Sequence, residues 1–512
     1  MKALLVQPLA PTTYWGFQHS LRIVGKAASL PPLGLVTLAA LLPRDWDLRL
    51  VDLNVEPLSD RDLSWADALL LTGMLVHEAS MQEVLGRAKR IGLRTVVGGP
   101  AATATPERFA AADYVFTGEA EGRLGPLIQA LETGAGPHLI APLPLRPELA
   151  DWPAPRYDLL RRSRYSSMAM QSSRGCPFNC EFCDVIELFG GAPRVKSAPQ
   201  LLRELDALAE VRWRGPVFFV DDNFIGNRRA ARGLLPEIAR WQREHGRPFE
   251  FYTEASVDLA GQPELVAAMV DAGFTTVFLG IETPSAESLR ETHKLQNLKM
   301  PPDQAVDTLT RAGLEVNAGF IVGFDADGPE IFAEQQRFIE KLPVPTAMVG
   351  LLTALPGTAL WRRLSAAGRL REGGSGDQFD RPNFDPQMDE RALLLGYRGL
   401  LAALYQPEAY LRRCELLVSG LGKARSRPIT LDALRMLARI VFWLGIASPR
   451  RRGFWRLFFR ALRRPHTFSR TMGLMVQGEH LIRYTREDVL PRLDLALREL
   501  GGDSRASCPQ LG

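Results

Sequence analysis

Short apolar runs alternate with amphipathic stretches through the first two-thirds of the chain. KALLVQ (2–7), DLRLVD (47–52), ALLLTG (68–73), RTVVGG (94–99) and DYVFTG (113–118) have the continuous apolar character of strands buried on both faces. Helical periodicity separates them near 33–42, 79–92 and 119–132. Such alternation predicts an open, doubly wound parallel sheet, Rossmann-like in class. Several of these strands end in Asp52, Gly73, Gly98 with Gly99, or Gly118. Ligands of open parallel sheets bind at the carboxyl ends of strands, where backbone must come close.

The proline-rich stretch from 135 to 165 reads as a linker over the surface. A second alternating series follows, with strands expected at 168–172, 216–222, 249–255, 275–282, 315–324 and 346–354. Helices are expected at 198–210, 227–245, 262–273, 302–313 and 329–341. Six strand–helix units are too few to close an eight-fold barrel, so a partial, open (βα)6 barrel is predicted. Beyond LPGTALW (355–361) the pattern is helical at 390–405, 407–418, 431–447, 453–464 and 486–500, and the tail from Gly501 reads as disordered. The expected division is 1–140, a linker at 141–165, a barrel at 166–358, a helical domain at 359–500 and a tail at 501–512.

Composition changes this picture in two places. At 46% hydrophobic and 23% charged, the 512 residues form ordinary globular protein, with no stretch of about 20 apolar residues for a membrane span. The opening MKALLVQPLAPT has too short an apolar run for a secretory signal, and a cytoplasmic location is expected. The net charge is only +4, yet Ala433 to Gly478 holds ten arginines and no acidic residue, so the remainder is net acidic.

The five cysteines are also uneven. Three fall in SSRGCPFNCEFCDV, as Cys176, Cys180 and Cys183, directly after the first strand of the second series. An odd, clustered set does not make a disulfide framework. Zinc sites usually take four ligands, and four-iron clusters normally take four thiolates. Three thiolates leave one iron open to an outside ligand. Gly175, Pro177 and Asn179 favour a loop, at the end of a barrel strand where active sites of such folds lie.

The Cys-x3-Cys-x2-Cys spacing after the first strand of a partial barrel resembles the radical S-adenosylmethionine (SAM) superfamily. The resemblance implies that Cys176, Cys180 and Cys183 hold a [4Fe–4S] cluster whose fourth iron chelates SAM. Electron transfer then yields a 5′-deoxyadenosyl radical, with the electron coming from a donor such as flavodoxin or ferredoxin. VDDN (220–223) ends the second barrel strand, where Asp221 and Asp222 suit the SAM ammonium or, alternatively, cap the next helix. Glu254 and Glu282 end the third and fourth strands with a similar option. GFIVGF (319–324) and LLTALPGT (351–358) resemble the later strands of that family.

The N-terminal domain narrows the resemblance. No cysteine precedes Cys176, which argues against methylthiotransferases, and Cys414 and Cys508 do not make an auxiliary-cluster extension. PPLGLVTLAALL (31–42), VDLN (51–54), VVGGP (96–100), TGEAEG (117–122) and the later RVKS (194–197) are similar to the cobalamin-dependent branch. Gly73, Gly98, Gly99 and Gly118 would then let cobalamin approach the backbone, with Glu119 and Glu121 at a helix start. No histidine makes a D-x-H-x-x-G motif, and His77 reads as a packing residue, so no histidine is expected on cobalt.

The basic block contains RRRGFWRLFFRALRRP (450–465), in which Arg456, Arg460 and Arg463 share a helix face. Three outcomes are open: aromatic packing with solvated arginines, contact with an anionic membrane through 434–464, or, least of all, nucleic acid. The combined reading is a radical SAM C-methyltransferase acting on an unactivated carbon of an apolar or natural-product-like small molecule. One SAM would supply the radical and a second the methyl group carried by cobalamin. A cyclase or rearrangement enzyme using the same cofactors, and a non-catalytic metal-binding sensor, are the alternatives.

Overall fold

The computed structural model describes residues 1–141, 146–150, 152–371, 377–422 and 431–506. Strands β1 (Lys2–Gln7), β2 (Asp47–Asp52), β3 (Ala68–Thr72), β4 (Arg94–Gly98), β5 (Tyr114–Phe116) and β6 (Leu139–Ile140) form one parallel sheet in the order β2-β1-β3-β4-β5-β6. The chain leaves β1 for β2 on one side and returns to β3 on the other. That reversal is the topological switch point of a doubly wound sheet, and the crevice beyond the strand ends is its natural ligand site. Two apolar layers cover the sheet: Leu4, Val6, Leu69 and Val97 pack on one face, Ala3, Leu5, Leu70 and Val96 on the other.

The second sheet holds six parallel strands in the order β14-β13-β12-β11-β10-β7, where β7 is Met168–Met170, β10 Gly215–Phe219, β11 Phe249–Ala255, β12 Phe274–Glu282, β13 Glu315–Val322 and β14 Ala347–Leu351. Each strand after β7 is added on the same side, as expected of a partial (βα)6 barrel. Along β11, Phe249, Phe251, Thr253 and Ala255 are buried against the helices, while Glu250, Tyr252 and Glu254 point the other way, to the interior. A small antiparallel pair, β8 (Ser173–Arg174) with β9 (Arg194–Val195), forms the neck from which the cysteine loop projects.

Three expectations are corrected here. The segment read as a surface linker supplies edge strand β6 and buries Leu149, Tyr157 and Leu160, because its apolar side chains fill the seam between the two sheets. A helix at Phe468–Tyr484 was not foreseen: its apolar stripe is broken by Thr471, Gly478 and His480, all buried by neighbours on several sides. The last helix runs on to Ala506 rather than ending in disorder at Gly501, while 507–512 lies outside the described residues.

The C-terminal helices share one continuous core with the barrel. The chain after β1 is wedged into that core. Tyr14 packs on Phe379, Tyr405 and Tyr484 with ring centroids 4.8, 5.4 and 4.7 Å apart, and its hydroxyl lies 2.6 Å from Thr485 Oγ1.

Candidate active site

The cysteine loop is built outward from its neck. Asp221, fully buried after β10, accepts from the Ser172 amide (2.7 Å), the Ser172 hydroxyl and the Ser173 hydroxyl (2.8 Å). Its carboxylate is therefore spent on fixing the β7–β8 turn. This differs from its expected role as a SAM ligand. Neither does the VDDN pair cap the next helix: Asn227 accepts from the Ala230 amide and does so instead. Gly175 sits at φ +97°, and a Cβ there would lie 2.8 Å from the Gly190 carbonyl, so the loop can close only with glycine.

Cys180 is buried, and Cys176 and Cys183 are half-buried. Burial raises all three thiols, Cys183 to about 12, so metal must displace their protons. Asn223 Nδ2 approaches Cys176 Sγ at 3.9 Å and Gln296 Nε2 approaches Cys180 Sγ at 3.8 Å. Among the described residues, no three His, Cys, Asp or Glu side chains converge on one point.

Behind the loop stands a group of acidic side chains. Asp222 accepts from the Gly175 amide at 2.8 Å. The Glu254 carboxylate has no hydrogen-bond donor among the described residues. Burial raises Asp222 to about 6, against the Gly175 amide and with repulsion from Asp221, and raises Glu254 to about 7 with repulsion from Asp222. The Asn223 side-chain oxygen is buried without a hydrogen-bond partner among the described residues. Glu282 ends β12 at φ +67°, next to a register shift against β13. It is paired with Lys294 at 2.6 Å, and a side chain at Gly280 would collide with both. Burial opposes the charge on Lys294, but Glu282 and Cys180 outweigh it and hold the ammonium protonated.

The N-terminal domain meets this site directly. A cavity of about 310 Å³ lies between the ends of β3, β4 and β5 and the residues on either side of the cysteine loop. Thr72, Gly98, Gly99 and Gly118 line one side and Arg174, Leu188 and Phe189 the other. Gly99 is at φ +87°, where a Cβ would strike the Thr72 hydroxyl. Gly73 is not among the lining residues; a Cβ there would meet Met81 Sδ at 2.6 Å, so this glycine serves packing. His77 is buried, accepts from the Met74 amide at 3.0 Å and stands outside the cavity.

Glu119 and Glu121 are not at a helix start, since that helix begins at Gly125. They are paired across the domain seam instead. Arg174 reaches Glu119 at 2.9 Å and Glu121 at 2.6 Å, and Arg194 reaches Glu119 at 2.8 Å. Burial works against the Glu121 charge, but Arg174 outweighs it and holds the carboxyl below its ordinary range. In the RVKS element, Lys196 pairs with buried Glu204 at 2.5 Å and Ser197 caps the helix Ala198–Glu210.

Residues 24–127 match the B12 binding domain, 170–338 the radical SAM superfamily, and 358–490 a domain of unknown function, DUF4070. The chain is 42% identical to an uncharacterized methyltransferase of Synechocystis sp., covering 98% of this chain and 94% of that protein. It is 35% identical to the hopanoid C-2 methylase of Rhodopseudomonas palustris, over 95% and 94%. The chain belongs to the cobalamin-dependent radical SAM methyltransferases. The fold agrees: the methyltransferase TsrM of Kitasatospora setae superposes with a TM-score of 0.61 at 15% identity, covering 95% of this chain and 99% of that one. OxsB, a cobalamin-dependent radical enzyme, superposes at 0.60 and 16% identity, over 98% and 84%.

The cofactors of this methyltransferase are an iron–sulfur cluster, SAM and cobalamin. The residues present fit them. Three thiols stand on a loop with no fourth cysteine beside them among the described residues. Asp222, Glu254 and the Asn223 oxygen are acceptors short of donors, which suits a cationic amino acid. The cavity offers apolar walls and bare backbone to a corrin. Lys294, Gln296, Asn223 and Arg194 were not singled out in the sequence. Asn223 lies in VDDN and Arg194 in RVKS, but Lys294, in a loop, and Gln296, at the start of the short helix Gln296–Lys299, belong to no motif.

Proposed function

We propose that the protein transfers a methyl group to an unactivated carbon of an apolar, natural-product-like molecule. The observation that carries the reading is adjacency: Arg174, Leu188 and Phe189, which flank the cysteine loop in sequence, form one wall of the cavity whose other wall is the glycine-rich end of the N-terminal sheet. The substrate's radical and the methyl donor would thus meet without crossing solvent. Bound together, the cofactors supply a 5′-deoxyadenosyl radical from one SAM and a methyl group from cobalt.

The chain's own residues bind, orient and exclude water. Cys176, Cys180 and Cys183 would hold three irons. Asp222 and Glu254 would take the SAM ammonium, each losing its raised pKa as it gains a cation. Glu282 and Lys294 fix the floor beside Cys180. Gly98, Gly99 and Gly118 would face the corrin. Phe218, stacked on Tyr252 at 4.7 Å, and Phe278, against Trp15 at 4.8 Å, give the barrel interior an aromatic lining that favours an apolar substrate. The 35% identical relative acts on a hopanoid, which supports the same substrate class. A cytoplasmic donor such as flavodoxin or ferredoxin would supply the electron, and an enzyme with a lipid-like substrate would work against the inner membrane face.

Anaerobic purification with cobalamin supplied tests this reading. Iron, sulfide and cobalt are expected together, with 5′-deoxyadenosine released on addition of reductant and SAM. Zinc in place of iron, or no retained cobalt, would overturn it.

A further inference from the structure

We propose that the helical hairpin 431–462 is a docking surface for an anionic lipid bilayer. Of the eighteen large hydrophobic side chains exposed among the described residues, eight lie between Leu431 and Leu462. A soluble surface scatters such residues singly; a concentration of them marks a contact. The helix Leu431–Ile440 continues as a π-helical turn, Val441–Ala447, and a second helix, Arg451–Leu462, returns beside it. Leu444 and Phe454 face inward and pack on Ile23, Met472 and Val476. The π turn leaves Phe442, Trp443 and Ile446 outside, at 54, 50 and 59% exposure, and the returning helix adds Phe459 and Leu462.

The charge pattern specifies the partner. Several arginines of the block are engaged internally, which corrects the expectation of one free arginine face. Arg456 and Arg460 pair with Glu415 at 2.8 and 3.4 Å, Arg450 with Glu479, and Arg439 donates to the Ile23 carbonyl at 3.0 Å. Arg451, Arg452 and Arg463 remain exposed and make no ion pair among the described residues. Cations beside exposed aromatic and aliphatic side chains match a negatively charged headgroup layer over acyl chains. A second copy of the chain fits worse, because a two-fold contact would set these arginines against themselves. Among the described residues no helix is long and apolar enough to cross a membrane, so the hairpin would lie in the interface.

The hairpin also adjoins the segment after β1 that reaches the barrel interior. It rests on the segment after β1, where Arg439 holds the carbonyls of Arg22 and Ile23. The same segment carries Trp15, 46% exposed, onto interior Phe278. Phe278 is the register partner of Glu254. An apolar molecule leaving the bilayer at the hairpin would thus meet an aromatic path to the acidic site.

This deepens the membrane-side placement proposed above, and binding is read without turnover, so failure of either idea leaves the other testable. The anaerobic holoenzyme is floated with vesicles of phosphatidylcholine alone or mixed with phosphatidylglycerol. Binding to the mixed vesicles should be at least about tenfold stronger and should fall as salt rises. The variant Phe442→Ser/Trp443→Ser/Ile446→Ser and, separately, Arg451→Glu/Arg452→Glu/Arg463→Glu should each lose about tenfold or more of that binding, with circular dichroism and SAM cleavage unchanged. Equal flotation of wild type and both variants, binding indifferent to lipid charge, or a dimer in sedimentation that the serine variant alone dissolves would overturn the inference.

Discussion

Arg174 stands two residues before Cys176 and donates to Glu119 of the N-terminal domain at 2.9 Å, in a seam where their side chains are 15 and 5% exposed. Glu119 also accepts from both terminal nitrogens of Arg194, so one carboxylate holds both strands of the neck that carries the cysteine loop. The geometry between the cluster loop and the cavity therefore depends on a buried ionic cluster. Glu119→Gln leaves Arg194 without its carboxylate and Arg174 with Glu121 alone, and should cost about 3 kcal/mol in denaturant unfolding. Holoenzyme carrying it should also release 5′-deoxyadenosine with less methyl transfer per cleavage, a split that loss of stability alone would not produce.

SAM binding should depend on pH through Asp222 and Glu254. Both must ionise to take an ammonium, and their values are about 6 and about 7. Affinity measured by calorimetry should rise from pH 5.5 to 7.5, by up to about tenfold per unit between the two values and more steeply below the lower one, where two protons must leave. Glu254→Gln should flatten the upper part of that rise. In the ligand-free chain the sign reverses. The folded state keeps protons that the unfolded state has already released, so stability should fall as pH rises from about 4 to about 7 and level off above.

Gly175→Ala tests the loop closure. The substitution meets both a positive φ and the Gly190 carbonyl, and should destabilise the loop by about 1–2 kcal/mol. Iron content and the 400-nm region of the absorption spectrum should drop while the far-ultraviolet circular dichroism holds.

Cys176→Ala, Cys180→Ala and Cys183→Ala should each abolish the cluster and SAM cleavage together. Cys414, fully buried in the helix Pro407–Gly420, is a packing residue, and Cys414→Ala should keep the cluster at a cost of about 1 kcal/mol.

The sheets were readable because strands buried on both faces write themselves as continuous apolar runs; β3, ALLLT, falls at 68–72 within the expected 68–73. The three cysteines were readable because their spacing lies within one loop. Roles that depend on a partner distant in sequence were not. Asp221 looks like a ligand until Ser172 and Ser173 are seen to consume it, and Glu119 looks like a helix-start residue until Arg174 and Arg194 come in from 55 and 75 residues away. Lys294 carries no signal at all, because its meaning lies wholly in Glu282 and Cys180 beside it. The helix Phe468–Tyr484 was hidden for a related reason: buried on several sides, it shows no single apolar stripe.

The most direct test uses SAM bearing a trideuterated methyl group with the reconstituted enzyme and an apolar polycyclic lipid extract. Product mass and 5′-deoxyadenosine are counted in the same reaction. The account predicts one trideuterated methyl gained on carbon for each 5′-deoxyadenosine released in productive turnover. A product of unchanged mass, formed with 5′-deoxyadenosine, would contradict methyl transfer and indicate rearrangement.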